Sequence, residues 1–422
     1  MARFLVTAMP FTGHVDPLLA VTEALVERGH EVRFYSGTAF AAKATASGAR
    51  FVPWTVAPDF DENDLQATFP RLVGRKGLRQ VFINLEDVMI GTAPAQVADL
   101  DAEWAREPWD VTVADETSVG AVLFAETNGC RWATVAVLPL QMAGTEGPPA
   151  GLGLTPGTNP LTRGRDALLR AAVPLLARPL QKPLSRARTA VGLPPSKVTF
   201  EKAMISSELV LASGAPLLDF SRSDRPAYLR YVGQLARYSN AAFEPPPWWA
   251  DLTGREVVFV TQGTQNIDPS DLLRPALTAL AREDVLVVAT TGVVGRDELP
   301  FPVPANARVA GFVPYAHLLP HVDVVVTNGG WGGTVAALAH GIPLVIGGGD
   351  LDKPEVAARV AWTGAGVNLK TGTPTAAAIG EGVRRVRTGL SYRTAAERIA
   401  VQLAAAGGAP AAAVALEEFA AG

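Results

Sequence analysis

Two groups of residues in this chain of 422 residues have types and spacing that could do chemistry. The first pairs His14, in TAMPFTGHVDP directly after the apolar run RFLV, with Asp115, directly after the run VTVA. A carboxylate accepting Nδ1–H would fix the imidazole tautomer, leave Nε2 free to take a proton and stabilise the imidazolium that forms. Gly13 permits an unusual backbone there, and Pro17 suits the opening of the next helix. Asp110 and Glu116 are rivals to Asp115. Asp110 precedes its strand and falls at the wrong end, whereas Glu116 suits the positive end of the following helix. A lone histidine at such a turn also has a plain use in capping or packing. The second group is Asn328, Gly329, Gly330, Gly332 and Gly333 within VDVVVTNGGWGGTVAALAHGIPLVIGGG. Backbone N–H groups in that turn can approach an anion closely, and a helix beginning near Thr334 adds its positive end, so the stretch reads as a diphosphate cradle. Glycines there serve a tight strand-to-helix turn equally well.

Smaller signals accompany these two. The sequence TQGT, Thr261 to Thr264, offers Gly263 and Thr264 as amide and hydroxyl donors, or simply a helix N-cap. Asp352 and Lys353 in GGGDLDKPE could bond sugar hydroxyls, or belong to a solvated helix start. His30, His317, His321 and His340 sit in turn or helix-end patterns and read as structural. There is no HExxH or CxxC spacing, so metal-free chemistry with no prosthetic group is expected. Cys130, the single cysteine, has no partner for an internal disulfide and reads as a small buried residue.

These residues need a scaffold that brings strand ends together. Strand-like runs at Phe4 to Ala8, Val32 to Tyr35, Phe51 to Val52, Val111 to Ala114 and Thr134 to Val137 alternate with helical patterns, which is βαβ logic. A second set appears at Val257 to Thr261, Val285 to Ala289, Val309 to Gly311, Val322 to Thr327 and Leu344 to Ile346. Between the sets, EPPPWWADLTG reads as a linker. The expected organisation is an α/β chain of two Rossmann-like domains, 1–233 and 255–422, joined by 234–254 and facing across a cleft. Irregular stretches at Pro58 to Gly77 and Gly144 to Gly164 suit ligand or lid contacts, with simple disorder the alternative for Gly144 to Gly164. The basic, amphipathic segment Ala167 to Arg188 reads as a helical hairpin broken by prolines.

With 18% charged residues and a net charge of −4, no basic field favours nucleic acid. The first residues lack the parts of a secretory signal, and no apolar run spans a bilayer, so a cytoplasmic protein without stable membrane insertion is expected.

The motifs resemble the family-one glycosyltransferases of the GT-B fold, in their bacterial macrolide-type branch. GHVDPLLAVTEALVERGHEV resembles the acceptor-domain motif whose histidine is the catalytic base, which implies that role for His14. VTVADETSVGAVLFAE resembles the segment bearing its aspartate partner, which implies Asp115. GFVPYAHLLPHVDVVVTNGGWGGTVAALAHGIPLVIGGGDLDKPEVAARV resembles the donor signature. The resemblance implies that Phe312 stacks on a nucleobase and Val313 offers backbone contacts to it. It places Gly330, Gly332, Gly333 and Thr334 in the phosphate turn and Asp352 against sugar hydroxyls. Asn328 stands where a histidine usually faces the diphosphate, so its neutral amide is expected as a donor. Tyr315 and Lys353 each replace a glutamine. Ala336 replaces the glutamate that holds ribose hydroxyls in many members, which mildly favours a dTDP-sugar over a UDP-sugar.

The function implied is inverting transfer of a sugar from a dTDP- or UDP-sugar to a hydroxyl of an apolar small molecule. The alternatives are a nucleotide-sugar epimerase of the same architecture and a non-catalytic nucleotide-sugar-binding protein. Trp54, Phe60, Phe82, Leu85, Met89, Leu138 and Met142 are the expected acceptor wall, and the C-terminal helices are expected to cross back to the first domain. A homodimer is compatible with this picture.

Overall fold

Short β-branched runs form two parallel sheets, whose strands are apolar almost throughout because helices cover both faces. The computed structural model describes residues 1–75, 77–220, 223–236, 243–263 and 268–422, apart from the side chain of Leu78. The first sheet holds β1 (Arg3–Thr7), β2 (Glu31–Ser36), β3 (Arg50–Pro53), β4 (Val111–Asp115), β5 (Arg131–Ala136), β6 (Val210–Ser213) and β7 (Leu229–Gly233). Their order is β3-β2-β1-β4-β5-β6-β7. The second holds β8 (Val257–Thr261), β9 (Leu286–Thr290), β10 (Ala307–Ala310), β11 (Val324–Thr327), β12 (Leu344–Ile346) and β13 (Gly366–Asn368), ordered β10-β9-β8-β11-β12-β13. The short runs β6, β7 and β13 were not anticipated from sequence.

Each sheet reverses its strand order once. β1 lies between β2 and β4, with Thr7 opposite Ala114; β8 lies between β9 and β11, with Thr261 opposite Thr327. Connections leaving the carboxyl ends at such a point diverge to opposite faces and open a crevice. His14 and Asp115 emerge at the first crevice, Gly263 and the 328–333 turn at the second.

The first helix, Thr12–Glu27, buries Val15, Leu18, Leu19, Val21 and Leu25 against Phe4 and Val6 of β1. Each such side chain contributes about 1.5–3 kcal/mol of hydrophobic stabilisation. The helix starts five residues before Pro17, which therefore lies inside it, and Gly13 has no positive φ. Pro17 is tolerated near the start because it forgoes a single bond, to the Gly13 carbonyl. The cradle helix, Trp331–Ala339, likewise begins before Thr334, because Gly329 at φ 89 has already turned the chain.

Of the proline-rich stretch between the sheets, 237–242 lie outside the described residues. The rest is docked: Phe243 stacks on His317 at 4.4 Å, and Trp249 meets His321 edge-on. Helix Leu390–Ala405 packs on the second core through Ala396, Ile399 and Leu403. After Gly407 the last helix, Gly408–Ala421, packs Ala409, Ala412, Ala413 and Leu416 into the first core. No single helix among the described residues is long and apolar enough to cross a membrane. The basic segment forms two helices, Pro160–Leu176 and Arg178–Ala190, the first opened by an Asn159 capping box.

Candidate active site

Asp115, the last residue of β4, is wholly buried and accepts from four donors. They are the amides of Met9 at 2.7 Å and Thr117 at 2.6 Å, and the hydroxyls of Thr117 at 2.6 Å and Ser118 at 3.1 Å. His14, in the first turn of its helix, brings Nδ1 to 3.5 Å from Asp115 Oδ1 and 3.3 Å from Thr117 Oγ1. Because Thr117 gives its hydrogen to Asp115, both groups around Nδ1 can only accept. The network therefore assigns the proton to Nδ1 and leaves Nε2 as the basic nitrogen on the cleft side. Burial works against a charged imidazole, but Asp115, then Glu116 and Asp352, outweigh it and raise the His14 pKa above 6.5. Burial likewise opposes the Asp115 carboxylate, yet His14, Thr117 and the Met9 amide hold it below the usual aspartate range.

The start of the His14 helix has no cap from its own N-cap residue, Phe11. Glu62 supplies one from the 58–77 stretch, accepting from the Thr12 amide at 2.9 Å and from the Thr12 hydroxyl. Asp110 sits at the opposite end of β4, bonded to Arg3.

Across the cleft the four glycines of the turn divide by role. Gly329 is required by the backbone: at φ 89, an added Cβ would also meet Ile346 at 2.7 Å. At Gly333 a Cβ would approach the Tyr315 hydroxyl to 3.2 Å. Around Gly330 and Gly332 nothing lies within 4 Å, so these two leave open space before the helix N-terminus. That is where an anion can reach backbone N–H groups.

Asn328 lines the cleft and also has a second task. Its Nδ2 donates to the Gln262 carbonyl, bracing the turn after β8 against the turn after β11. Thr334 is fully buried, and its hydroxyl has no hydrogen-bond partner among the described residues. Thr264 lies outside the described residues; Gly263 is on the cleft wall.

Asp352 precedes helix Lys353–Thr363 with no capping bond, and its charge acts on His14. Burial pushes its carboxyl up. Leu351 beside it is held at φ 51, a left-handed conformation that costs an ordinary residue about 1–2 kcal/mol. Lys353 turns its Nζ to Asp350 at 2.6 Å. Phe312, 58% exposed, offers a ring to the cleft, while Val313 is buried behind it. The two crevices thus share one cleft of about 2240 Å³.

Residues 274–418 match the family model described as erythromycin biosynthesis protein CIII-like, C-terminal domain. The chain is 41% identical over 407 residues to 4'-demethylrebeccamycin synthase of Lentzea aerocolonigenes, covering 96% of each. It is 32% identical to UDP-glucosyltransferase B1 of Starmerella bombicola, covering 94% of this chain and 93% of that one. Among solved structures, the glycotransferase of kitacinnamycin superposes with TM-score 0.74 at 22% identity, over 99% of this chain and 98% of that one. Glycosyltransferase VinC, solved with dTDP, superposes with TM-score 0.70 at 22% identity over 99% of each chain. The chain belongs to the family-one glycosyltransferases of the GT-B fold.

The acceptor side of this glycosyltransferase differs from expectation. Leu85, Met89 and Leu138 do line the cleft. Trp54 and Phe60 do not: their rings meet edge-on at 5.8 Å within an aromatic core that includes Tyr35 and Phe69. Met142 packs beside Leu140 and Val210, and the half-exposed Phe82 is not on the wall. An apolar residue after a strand fills a core or a cavity equally well, and position alone does not separate the two. Phe11, Phe200 and Met204 are wall residues that sequence reasoning missed. Phe11 joins the core to the site, 5.3 Å from Phe60 and 5.7 Å from His14.

Glu116 does not open the next helix. Its two carboxylate oxygens accept from the Val137 amide at 2.9 Å and the Leu138 amide at 2.7 Å, holding the end of β5 at the cleft wall. Burial, together with the Asp115 charge, pushes it up to about 7.

Proposed function

We propose that this glycosyltransferase transfers a sugar, with inversion, from a dTDP- or UDP-sugar to a hydroxyl or related nucleophile of an apolar natural-product-like molecule. The observation that carries the reading is the pairing of a tautomer-fixed imidazole with an open glycine turn across one cleft. His14 Nε2 takes the acceptor proton while the oxygen attacks the anomeric carbon. Asp115 stabilises the imidazolium.

The leaving diphosphate sits on the backbone N–H groups at Gly330 to Gly333, at the positive end of the cradle helix, where preorganised dipoles stabilise developing charge. No metal is needed in this scheme. Asp352 takes sugar hydroxyls, Phe312 stacks on the base, and Leu85, Met89 and Leu138 face the acceptor. Ala336, without a carboxylate for ribose, favours dTDP. The relatives support the classes of both substrates: one is named as a rebeccamycin-type synthase, one as a UDP-glucosyltransferase, and VinC was solved with dTDP.

The test has two parts. A nucleotide that binds only the folded state stabilises it by about 2.7 kcal/mol at a hundred times its Kd, so dTDP raises the melting temperature, and more than UDP does. Anomeric proton couplings of the product, made in EDTA, report configuration and metal dependence. Retention of configuration, or loss of turnover in EDTA, sinks the mechanism.

A further inference from the structure

The acceptor-side loop and the donor-side helix are joined by a buried ionic network. Helix Lys353–Thr363 follows Asp352 directly and carries Glu355 and Arg359, 1% and 3% exposed. Glu355 Oε2 accepts from the amides of Gly151 at 3.2 Å and Gly153 at 3.0 Å, both in the loop between β5 and helix Pro160–Leu176. Its other oxygen accepts from Arg359 Nε at 3.2 Å. Arg359 then reaches the first domain twice, pairing with Asp219 and donating to the Leu140 carbonyl at 3.0 Å. Asp219 also accepts from the Tyr231 hydroxyl at 2.6 Å.

The fit is close: at Gly153, with φ +63, a Cβ would meet Pro354 at 2.8 Å. The same loop puts Leu138, Gln141 and Gly151 on the cleft wall. Buried ion pairs recover their desolvation cost only when fully bonded, and an apolar pair of similar volume often serves stability as well. A network that is saturated and spans both domains is suited to fixing one relative placement.

We propose that Arg359, with Glu355 and Asp219, is a positioning device that couples loop 139–157 to the donor helix, so that nucleotide binding sets the acceptor wall. This rests on the reading of the cleft as the site of glycosyl transfer. None of the three residues touches substrate; each acts through the backbone it holds.

The experiment is amide hydrogen exchange of the full chain with and without saturating dTDP or UDP, on wild type, Arg359→Met and the conservative Arg359→Lys. In wild type the nucleotide slows exchange in 139–157 at least tenfold. In Arg359→Met that protection is lost while nucleotide affinity changes less than threefold, and the acceptor KM rises about tenfold with a smaller change in kcat. Arg359→Lys restores part of both. Nucleotide binding to wild type without protection of the loop overturns the coupling alone. So does a fall in kcat that merely tracks melting temperature at constant acceptor KM. If Arg359→Met does not fold, reduced loop protection in Arg359→Lys decides for the proposal and full protection against it. If neither nucleotide binds wild type, the donor-site reading fails, and the coupling with it.

Discussion

The two halves of the site work by different means. In the mechanism proposed above, the first domain would act through side chains: one imidazole, one carboxylate, and the hydroxyl that fixes their proton. The second would act through backbone, a turn in which Gly330 and Gly332 leave open space. A side-chain device concentrates its effect in one residue and is tuned by neighbouring charge. A backbone device spreads its effect over several N–H groups and tolerates truncation, but it has no room for added bulk.

That contrast can be broken by mutation. The largest effect is expected for His14→Ala, which should lower kcat by about 10²- to 10⁴-fold, the range of general-base assistance, with dTDP affinity unchanged by calorimetry. Asp115→Ala should behave differently, because it leaves four donors and His14 without their buried acceptor. A loss of about 3–5 kcal/mol in denaturant unfolding is expected alongside the activity, a cost His14→Ala should not share. In the cradle, Gly332→Ala has room for its methyl group but places it where the proposed diphosphate would lie. Kd for dTDP should rise about tenfold, roughly 1.4 kcal/mol, with the melting temperature held. Asn328→Ala removes the brace between two turns that the Nδ2 bond to Gln262 supplies. A net loss of about 0.5–1.5 kcal/mol in stability is expected, and its dTDP affinity should fall less than that of Gly332→Ala. The reverse ranking would return Asn328 to the role of anion donor.

The smallest effect concerns pH. His14 must be neutral to accept a proton, so kcat/KM should fall as pH drops through its raised pKa, above 6.5. Glu116, pushed up to about 7, is partly protonated over the same range, so Glu116→Gln removes only part of a charge that favours the imidazolium and should move the acidic limb slightly to lower pH; a limb that moves upward would show that Glu116 does not favour the imidazolium. The stability of the pair runs the other way. His14, raised in the folded state, contributes fully below its unfolded value and loses that contribution as pH rises through the folded one. Asp115, lowered, contributes above about 3.8 and loses it as pH falls. The pair therefore stabilises the fold most where the base is protonated and idle.

Most of the architecture is legible in the sequence because buried parallel strands write themselves as β-branched runs and their ends are marked by Gly, Asp and His. His14, Asp115 and the glycine turn are found by asking which residues follow such runs. Trp54, Phe60 and Met142 depart from expectation because chain position does not say whether a side chain points into a crevice or back into the core. Glu62 and Arg359 leave no local mark at all. Their partners are 50 and 140 residues away, and the i, i+4 spacing of Glu355 and Arg359 is that of any solvated helix pair.

The last helix bears on how the chain comes to be folded. Its Ala412, Ala413 and Leu416 complete the core of the first domain, and Glu417 and Glu418 tie it to Arg28 and Arg230. The segment made first therefore lacks part of its interior until residues 408–421 have left the ribosome. Through that interval the apolar face of the first helix and the edge near β7 stay uncovered. The core of the first domain is thus completed by residues made after the second sheet.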